Sequence, residues 1–514
     1  MTNKPYNIID LFTEAAQRTP DGIAIIEGEK QISFSELDRQ ITTTAAYFQA
    51  KGIQKGDRVL VFVPMSIDLY RIVLALFRMG ATAVFLDEWV SRERLDICCK
   101  VAQCRAWIGG WKVHFLSFLS KELRSMPIKL KLSYDQSHTF EPVTTEETDT
   151  ALITFTTGST GTPKAAKRTH GFLREQFAAL IETIQPGEND VDMPVLPIVL
   201  MINLGIGCTS VIAPYKSSKP HKIKPQLIID LLKQHNVTRL VASPYFVKRV
   251  AETIVDKQLT VPGLTKVFTG GAPVFPKEAA LYKQAFPQAL VEIVYGSTES
   301  EPISSIDAAV FMHSNDWSVA QLGGLPVGIP YHGTAVKIIR ISDEPITCNS
   351  PEELSALEQQ PQQPGEIIVS GKHVLREYFN NEEALLRNKI FIGDQCWHRT
   401  GDSGFFGLNG QLLLTGRCAT LIEHNGLVIA TFIVENELQL LEEVEMATIL
   451  KINNKLVAII EFKSAGDNNE AFHQKLKTKL PFLDELRQIR RMPRDQRHHS
   501  KVDYGKLREV LEKQ

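Results

Sequence analysis

The chain predicts an α/β fold in two parts: a large N-terminal domain of parallel-rich sheets flanked by helices, and a small mobile α+β C-terminal domain. Three observations carry that reading. Short apolar runs alternate with amphipathic stretches from the start, the pattern of parallel sheets covered by helices. At 514 residues the chain is too long for one core and suggests roughly three units of about 150 residues each. The pattern then changes near Gly416. Gly404–Leu414 reads as a hairpin closed by Asn409-Gly410, and beyond it lies a separate unit of about 95 residues. The expected domains are therefore 1–416 and 417–514.

The elements follow in order. Arg58–Phe62 (R-V-L-V-F) reads as a strand, and Ile67–Met79 as a helix with apolar residues at three- and four-residue spacing. Ala83–Leu86 is again a strand, followed by a helix over Arg92–Val101. Val237–Ala242, Lys266–Thr269 and Val291–Val294 repeat the pattern of a buried strand before a glycine or proline signal. The longest uncharged stretch, Pro194–Tyr215, is broken by Pro197, Asn203, Gly205 and Gly207, so it reads as core or pocket wall and not as a membrane span. Glu358–Gly365 is a polar surface loop. In the last unit, strands are expected around Ala447–Lys451 and Leu456–Phe462, and helices over Asn469–Lys479 and Tyr504–Lys513.

Bulk properties exclude some classes of function. A net charge of −2 gives no footprint for a nucleic acid or an acidic membrane surface. Met1–Asn7 lacks the apolar region of a signal peptide. The seven cysteines show no zinc spacing, so reduced thiols in a cytoplasmic protein are expected.

The chemistry is concentrated at Thr156–Lys164, T-T-G-S-T-G-T-P-K, which the apolar run Ala151–Phe155 leads straight into. Gly158 and Gly161 let bare backbone approach a ligand closely. Thr156, Thr157, Ser159, Thr160 and Thr162 add hydroxyls, and Lys164 adds a positive charge. That inventory suits a polyphosphate, yet it is not a Walker loop, because Lys164 follows Pro163 and no helix begins directly after it. Further along come Gly270-Gly271-Ala272-Pro273, Tyr295-Gly296-Ser297-Thr298-Glu299, Thr400-Gly401-Asp402, Gly416-Arg417 and, near the end, Lys501. Each is weak alone; six in this order are not.

In that order the motifs resemble the acyl-adenylate-forming superfamily, which includes acyl-CoA synthetases, peptide-synthetase adenylation domains and luciferases. The resemblance covers nearly the whole chain and implies activation of a carboxylic acid by ATP, with Mg²⁺. It implies that Thr156–Lys164 holds the β- and γ-phosphates, that Thr298 contacts the α-phosphate and that Glu299 holds the metal. Tyr295 would lie against adenine, with Gly271, Ala272 and Pro273 on its other side. Asp402 would grip the ribose hydroxyls, and Arg417 would complete the ribose or phosphate contacts. Lys501 would be the mobile-domain lysine that bridges the carboxylate and the α-phosphate.

The chain also departs from the wider family. Ala165 stands where glycine is common, and Ala419 where the hinge usually has Asp or Lys. Along Leu421–Glu435 a pantetheine path usually offers a lysine, glycine, arginine and proline; here stand Glu423, Gly426, Leu427 and Ala430. This counts against coenzyme A as a partner. Gly416–Glu435, the region from Leu196-Pro197 to Asn203-Leu204-Gly205, and Arg497-His498-His499-Ser500-Lys501 look like the β-lactone synthetases of bacterial olefin biosynthesis. Those activate a 3-hydroxy fatty acid and let its own hydroxyl attack the adenylate. His498 then has two readings: acceptor of the hydroxyl proton, or a structural or ATP-facing residue. An acyl-CoA ligase or carrier-protein loading enzyme is the alternative activity, and a nucleotide-binding pseudoenzyme is the alternative outside catalysis.

Overall fold

Strand–helix alternation does build the first half of the molecule. The computed structural model describes residues 4–86, 92–111, 113–115, 120–132, 137–156, 163–312, 323–424, 427–464, 466–495 and 501–512. One sheet runs Ile128–Leu130, Ala106–Gly109, Arg58–Phe62, Thr82–Phe85, Thr150–Thr156, Lys164–Thr169. Every pair in it is parallel except the last. A nine-stranded sheet keeps a parallel centre, from Leu290–Ser297 through Lys266–Gly270, Arg239–Ala242, Val191–Pro194 and Thr209–Val211 to Ile23–Glu27. Antiparallel partners close both of its edges.

The helices between these strands form where their apolar spacing requires. Ile67–Arg78 buries nine consecutive residues, Leu69 to Phe77, between the two sheets, and Ser66 caps its start by accepting from the Leu69 amide. The uncharged stretch Pro194–Tyr215 becomes the helix Pro197–Ile206 and the strand Thr209–Val211. A buried polar network fixes that helix. Arg239 donates to Asn203 at 2.7 Å and to Asp192 at 3.2 Å, while Asn203 donates to Asp192 at 2.7 Å and to Ser210 at 3.0 Å. A guanidinium this deeply buried is tolerated only because both carboxylates, Asp190 and Asp192, meet it.

The second half departs from the alternation. Leu325–Pro326, Leu412–Arg417, Gln395–Phe406, Gly365–Ser370 and Ala335–Ile339 make a third sheet in which every pairing is antiparallel, with Lys389–Ile392 added beside Gln395–Phe406. The expected hairpin at Asn409-Gly410 is present, its paired arms reaching a little beyond Gly404–Leu414 to Asp402 and Arg417. Beyond it a separate C-terminal domain packs its own cores. Val444–Ile452 and Lys455–Phe462 pair antiparallel, Glu485–Gln488 joins in parallel, and Leu456, Ala458, Ile460, Phe472 and Leu476 close one face. Val457, Ile459, Met492 and Leu507 close the other. Among the described residues no helix is long and apolar enough to cross a membrane, and no disulfide joins any of the cysteines.

Candidate active site

Strand ends bring the separated motifs together. The register of the hairpin Thr150–Thr156 and Lys164–Thr169 sets Thr156 opposite Lys164. Thr157, Gly158, Ser159, Thr160 and Gly161, together with His498, lie outside the described residues, as does the side chain of Thr156. Lys164 does have a described environment. Its ammonium lies 3.5 Å from Glu299 Oε1, 3.3 Å from Asn388 Oδ1 and 5.4 Å from the Tyr378 ring centre.

Glu299 sits in the tight turn between Leu290–Ser297 and Ser300–Asp307, where Ser297 pairs with Ser300. Gly296 permits that turn, because a Cβ there would lie 2.9 Å from the Ser300 carbonyl oxygen. The Glu299 side chain is buried and accepts a 3.1 Å hydrogen bond from the Tyr378 hydroxyl. Burial alone would raise its pKa. The charges of His398, Lys164 and Lys389 and the Tyr378 hydrogen bond outweigh burial and hold it at about 2. His398 is driven well below its ordinary value by burial and then by Lys389, so at neutral pH the two lysines are the standing cations. Lys389 is itself buried, lies 5.5 Å from the Tyr378 ring centre and donates to the Leu375 carbonyl. Burial lowers its pKa to about 8. Arg168 ties the turn to the first sheet, donating to the Thr298 carbonyl at 3.1 Å and to Thr154 Oγ1 at 2.9 Å.

A second carboxylate closes the other end. Asp402 and Arg417 are cross-strand partners, and Arg417 Nη1 donates to Asp402 Oδ1 at 2.6 Å. The Tyr295 hydroxyl donates to Oδ2 at 2.8 Å. Burial, then the Asp402 charge, push the Tyr295 pKa well above its ordinary value, so it stays a donor. Two oxygens offer about four acceptor sites, which leaves Asp402 room for further donors. Gly270 pairs with Val294, and a Cβ on it would lie 2.3 Å from the Val294 carbonyl oxygen. That close approach sets the Gly271-Ala272-Pro273 loop beside Tyr295.

These residues share one cavity of about 2030 Å³. Lys164, Thr298 and Glu299 line it, as do the Gly271–Pro273 loop, Tyr295-Gly296, Asp402 and Arg417. The C-terminal domain contributes Lys501, an exposed residue whose amide donates to Asp495 Oδ1 at 2.8 Å and whose carbonyl accepts from the Asp495 amide at 2.8 Å. Tyr70, Val73, Leu180, Ile184, Met201 and Phe268, members of one hydrophobic cluster, also line the cavity. Sequence reasoning missed Arg168, Tyr378, Lys389 and His398. Only His398 carried a signal, lying four residues before Asp402. Among the described residues no three His, Cys, Asp or Glu side chains gather as a metal cage.

Comparison with known proteins agrees with this arrangement. The family model described as AMP-binding enzyme matches residues 12–379. An olefin beta-lactone synthetase of Stenotrophomonas maltophilia (strain K279a) is 28% identical over 454 residues, covering 82% of this chain and 81% of that protein. The protein of the same name from Xanthomonas campestris pv. campestris is 27% identical over 452 residues, covering 81% and 79%. The crystal structure of ATP-bound MatB from Rhodopseudomonas palustris superimposes with a TM-score of 0.80 at 19% identity, over 98% of this chain and 99% of that one. A match over residues 12–379 spans well over half the chain, which therefore belongs to the AMP-binding enzyme family of ATP-dependent, acyl-adenylate-forming ligases and synthetases.

Proposed function

We propose that this enzyme adenylates a long-chain 3-hydroxy fatty acid and closes the adenylate to a β-lactone. The observation that carries this reading is the similarity to two olefin beta-lactone synthetases over about four-fifths of both chains. The apolar side chains that line the same cavity as Glu299 and Asp402 support a fatty substrate.

In the first step a carboxylate oxygen attacks the α-phosphorus of ATP, and the bond to pyrophosphate breaks. Two anions must meet, so cations dominate the catalytic requirement. Lys501 would bridge the carboxylate and the α-phosphate, Lys164 and the loop before it would hold the departing phosphates, and Thr298 would orient the α-phosphate. Asp402 and Arg417 would hold the ribose, with Tyr295 against adenine. Glu299 suits a Mg²⁺ shared with the phosphates, because it is ionised at neutral pH and lies on the cavity wall, and Mg²⁺ needs only one or two carboxylates beside phosphate oxygens. When bound, the metal would neutralise charge on those oxygens. In the second step the substrate's 3-hydroxyl oxygen attacks the acyl carbon, the bond to AMP breaks and the hydroxyl proton passes to a base, for which His498 is the candidate. Holding both groups in one molecule supplies the orientation. Overall, acid and ATP give lactone, AMP and pyrophosphate.

Mass analysis of the product tests the reading. With ATP and Mg²⁺ alone, a long-chain 3-hydroxy acid should yield AMP and a product lighter by one water, and coenzyme A should not speed turnover. AMP release that depends on coenzyme A, with its mass in the product, would identify an acyl-CoA ligase instead.

The domain boundary falls at 416/417 in this proposal, and the C-terminal domain reorients about Arg417–Thr420. Separate cores on either side support it, as does the short 3₁₀ turn Cys418–Thr420. Contacts across the junction, such as Phe275 with Phe432 and Lys277 with the Gln439 carbonyl, are few-atom contacts that a rotation can exchange. Limited proteolysis should cut within 417–420 at a rate that ATP and substrate acid change; a ligand-independent rate would count against the hinge. Cysteines held without disulfides suit a reducing, cytoplasmic compartment.

A further inference from the structure

We infer that Gln176 reads a hydroxyl on the acyl chain and thereby sets which fatty acids are activated; this rests on the fatty-acyl reading above. Gln176 lies on the helix His170–Ile184, on the same face as Leu173, Leu180 and Ile184, and is 1% exposed. With Leu180 and Ile184 it lines the cavity, and those two belong to the same hydrophobic cluster as the lining residues Met201 and Phe268. Its Oε1 is buried with no hydrogen-bond partner among the described residues.

A buried amide oxygen without a partner is rare, because water would have satisfied it in the unfolded chain. A leucine would fill the position on this helix face at no such cost. The vacancy in its bonding therefore points to a ligand, and the chemistry of the amide narrows the class. It is neutral and offers one acceptor oxygen and two N–H donors. A carboxylate or phosphate would be repelled by the oxygen and stranded among apolar side chains. An unsubstituted hydrocarbon would leave the amide unpaired. A ketone could take only the N–H. A hydroxyl donates and accepts, so it can satisfy Oε1. The acid's own carboxylate belongs at Lys501 and the α-phosphate, which leaves the hydroxyl on the chain as the group that Gln176 meets.

The consequence is selectivity in the first half-reaction, before any ring closes. A site built to hydrogen-bond a substrate hydroxyl discriminates against the analogue lacking it, because its own polar group is then left unpaired. For one neutral amide the expected ratio is roughly ten- to a hundred-fold in kcat/KM.

Pyrophosphate exchange measured with the full chain, ATP and Mg²⁺ tests this with three acids of equal length: 3-hydroxy, 3-oxo and unsubstituted. The wild-type enzyme should favour the hydroxy acid by that ratio. Gln176→Leu should bring the ratio between hydroxy and unsubstituted acids close to one, and Gln176→Met should do the same if the leucine variant folds poorly. A purely structural role for Gln176 would lower exchange with every acid and leave the ratio intact, which would overturn the inference. Equal exchange with all three acids in the wild type would also overturn it. Exchange with none of them, while a short or aromatic acid is activated, would refute the fatty-acyl reading itself and would be seen before any variant is made.

Discussion

Lys501→Ala should lower ATP–pyrophosphate exchange by roughly 10²–10³-fold, the usual loss when one preorganised group that stabilises transition-state charge is removed. Adenylation is the step in which a carboxylate meets a polyphosphate, and a cation placed between them is needed there above all. Loss of fold should not confuse the result. Lys501 is exposed, and the hydrogen bonds of its amide and carbonyl to Asp495 are ones that alanine retains. The core beside it, built from Leu450, Val457, Ile489 and Leu507, involves no atom of the lysine. Melting curves of the variant should therefore overlay those of the wild type. Lys501→Arg should recover only part of the rate, because a planar fork does not reproduce a compact ammonium. A presynthesised acyl-adenylate offered to Lys501→Ala should still be consumed, since the repulsion that the lysine offsets is gone by then. Equal exchange in wild type and variant would remove Lys501 from the mechanism.

Some of this architecture was legible because local pattern and tertiary structure agree. Arg58–Phe62 reads as a strand and is one, and the Ile67 helix ends one residue from where its apolar spacing stops. Gly270 and Gly296 were visible as members of their motifs, and the fold adds the reason, close backbone approach. The third sheet was foreseen only in its last hairpin. Its strands, from Ala335–Ile339 to Leu412–Arg417, follow one another with only short helices between them, so alternation has nothing to register. The charges under Glu299 were hidden for a different reason. Lys389 opens a short strand and looks like any surface lysine; in the fold it is buried, against the Tyr378 ring and the Leu375 carbonyl. Gln176 was hidden inside an apolar helix face, where a single amide reads as a tolerated polar residue until the bonding around it is counted.

Glu299→Gln tests the opposite charge, and its effects should appear in both catalysis and stability. The substitution keeps the volume and can still accept from Tyr378, but it removes the anion that Lys164 and Lys389 face. Exchange should fall roughly 10²-fold, and the Mg²⁺ concentration for half-maximal rate should rise, because a neutral amide is a poor ligand for a hard cation. The stability effect depends on pH with a definite sign. Glu299 is held at about 2 in the folded protein, below its ordinary 4.5. Its ionised form therefore contributes stability that is fully present above pH 4.5 and is lost as pH falls toward 2. That difference corresponds to roughly 3 kcal/mol. Urea melts at a series of pH values should show the wild type losing more stability than Glu299→Gln between pH 4.5 and 2. Above that window the variant should be the weaker protein, since it leaves two cations near a neutral amide. A variant whose metal titration and acid-stability profile both match the wild type would show that Glu299 neither holds the metal nor balances the lysines.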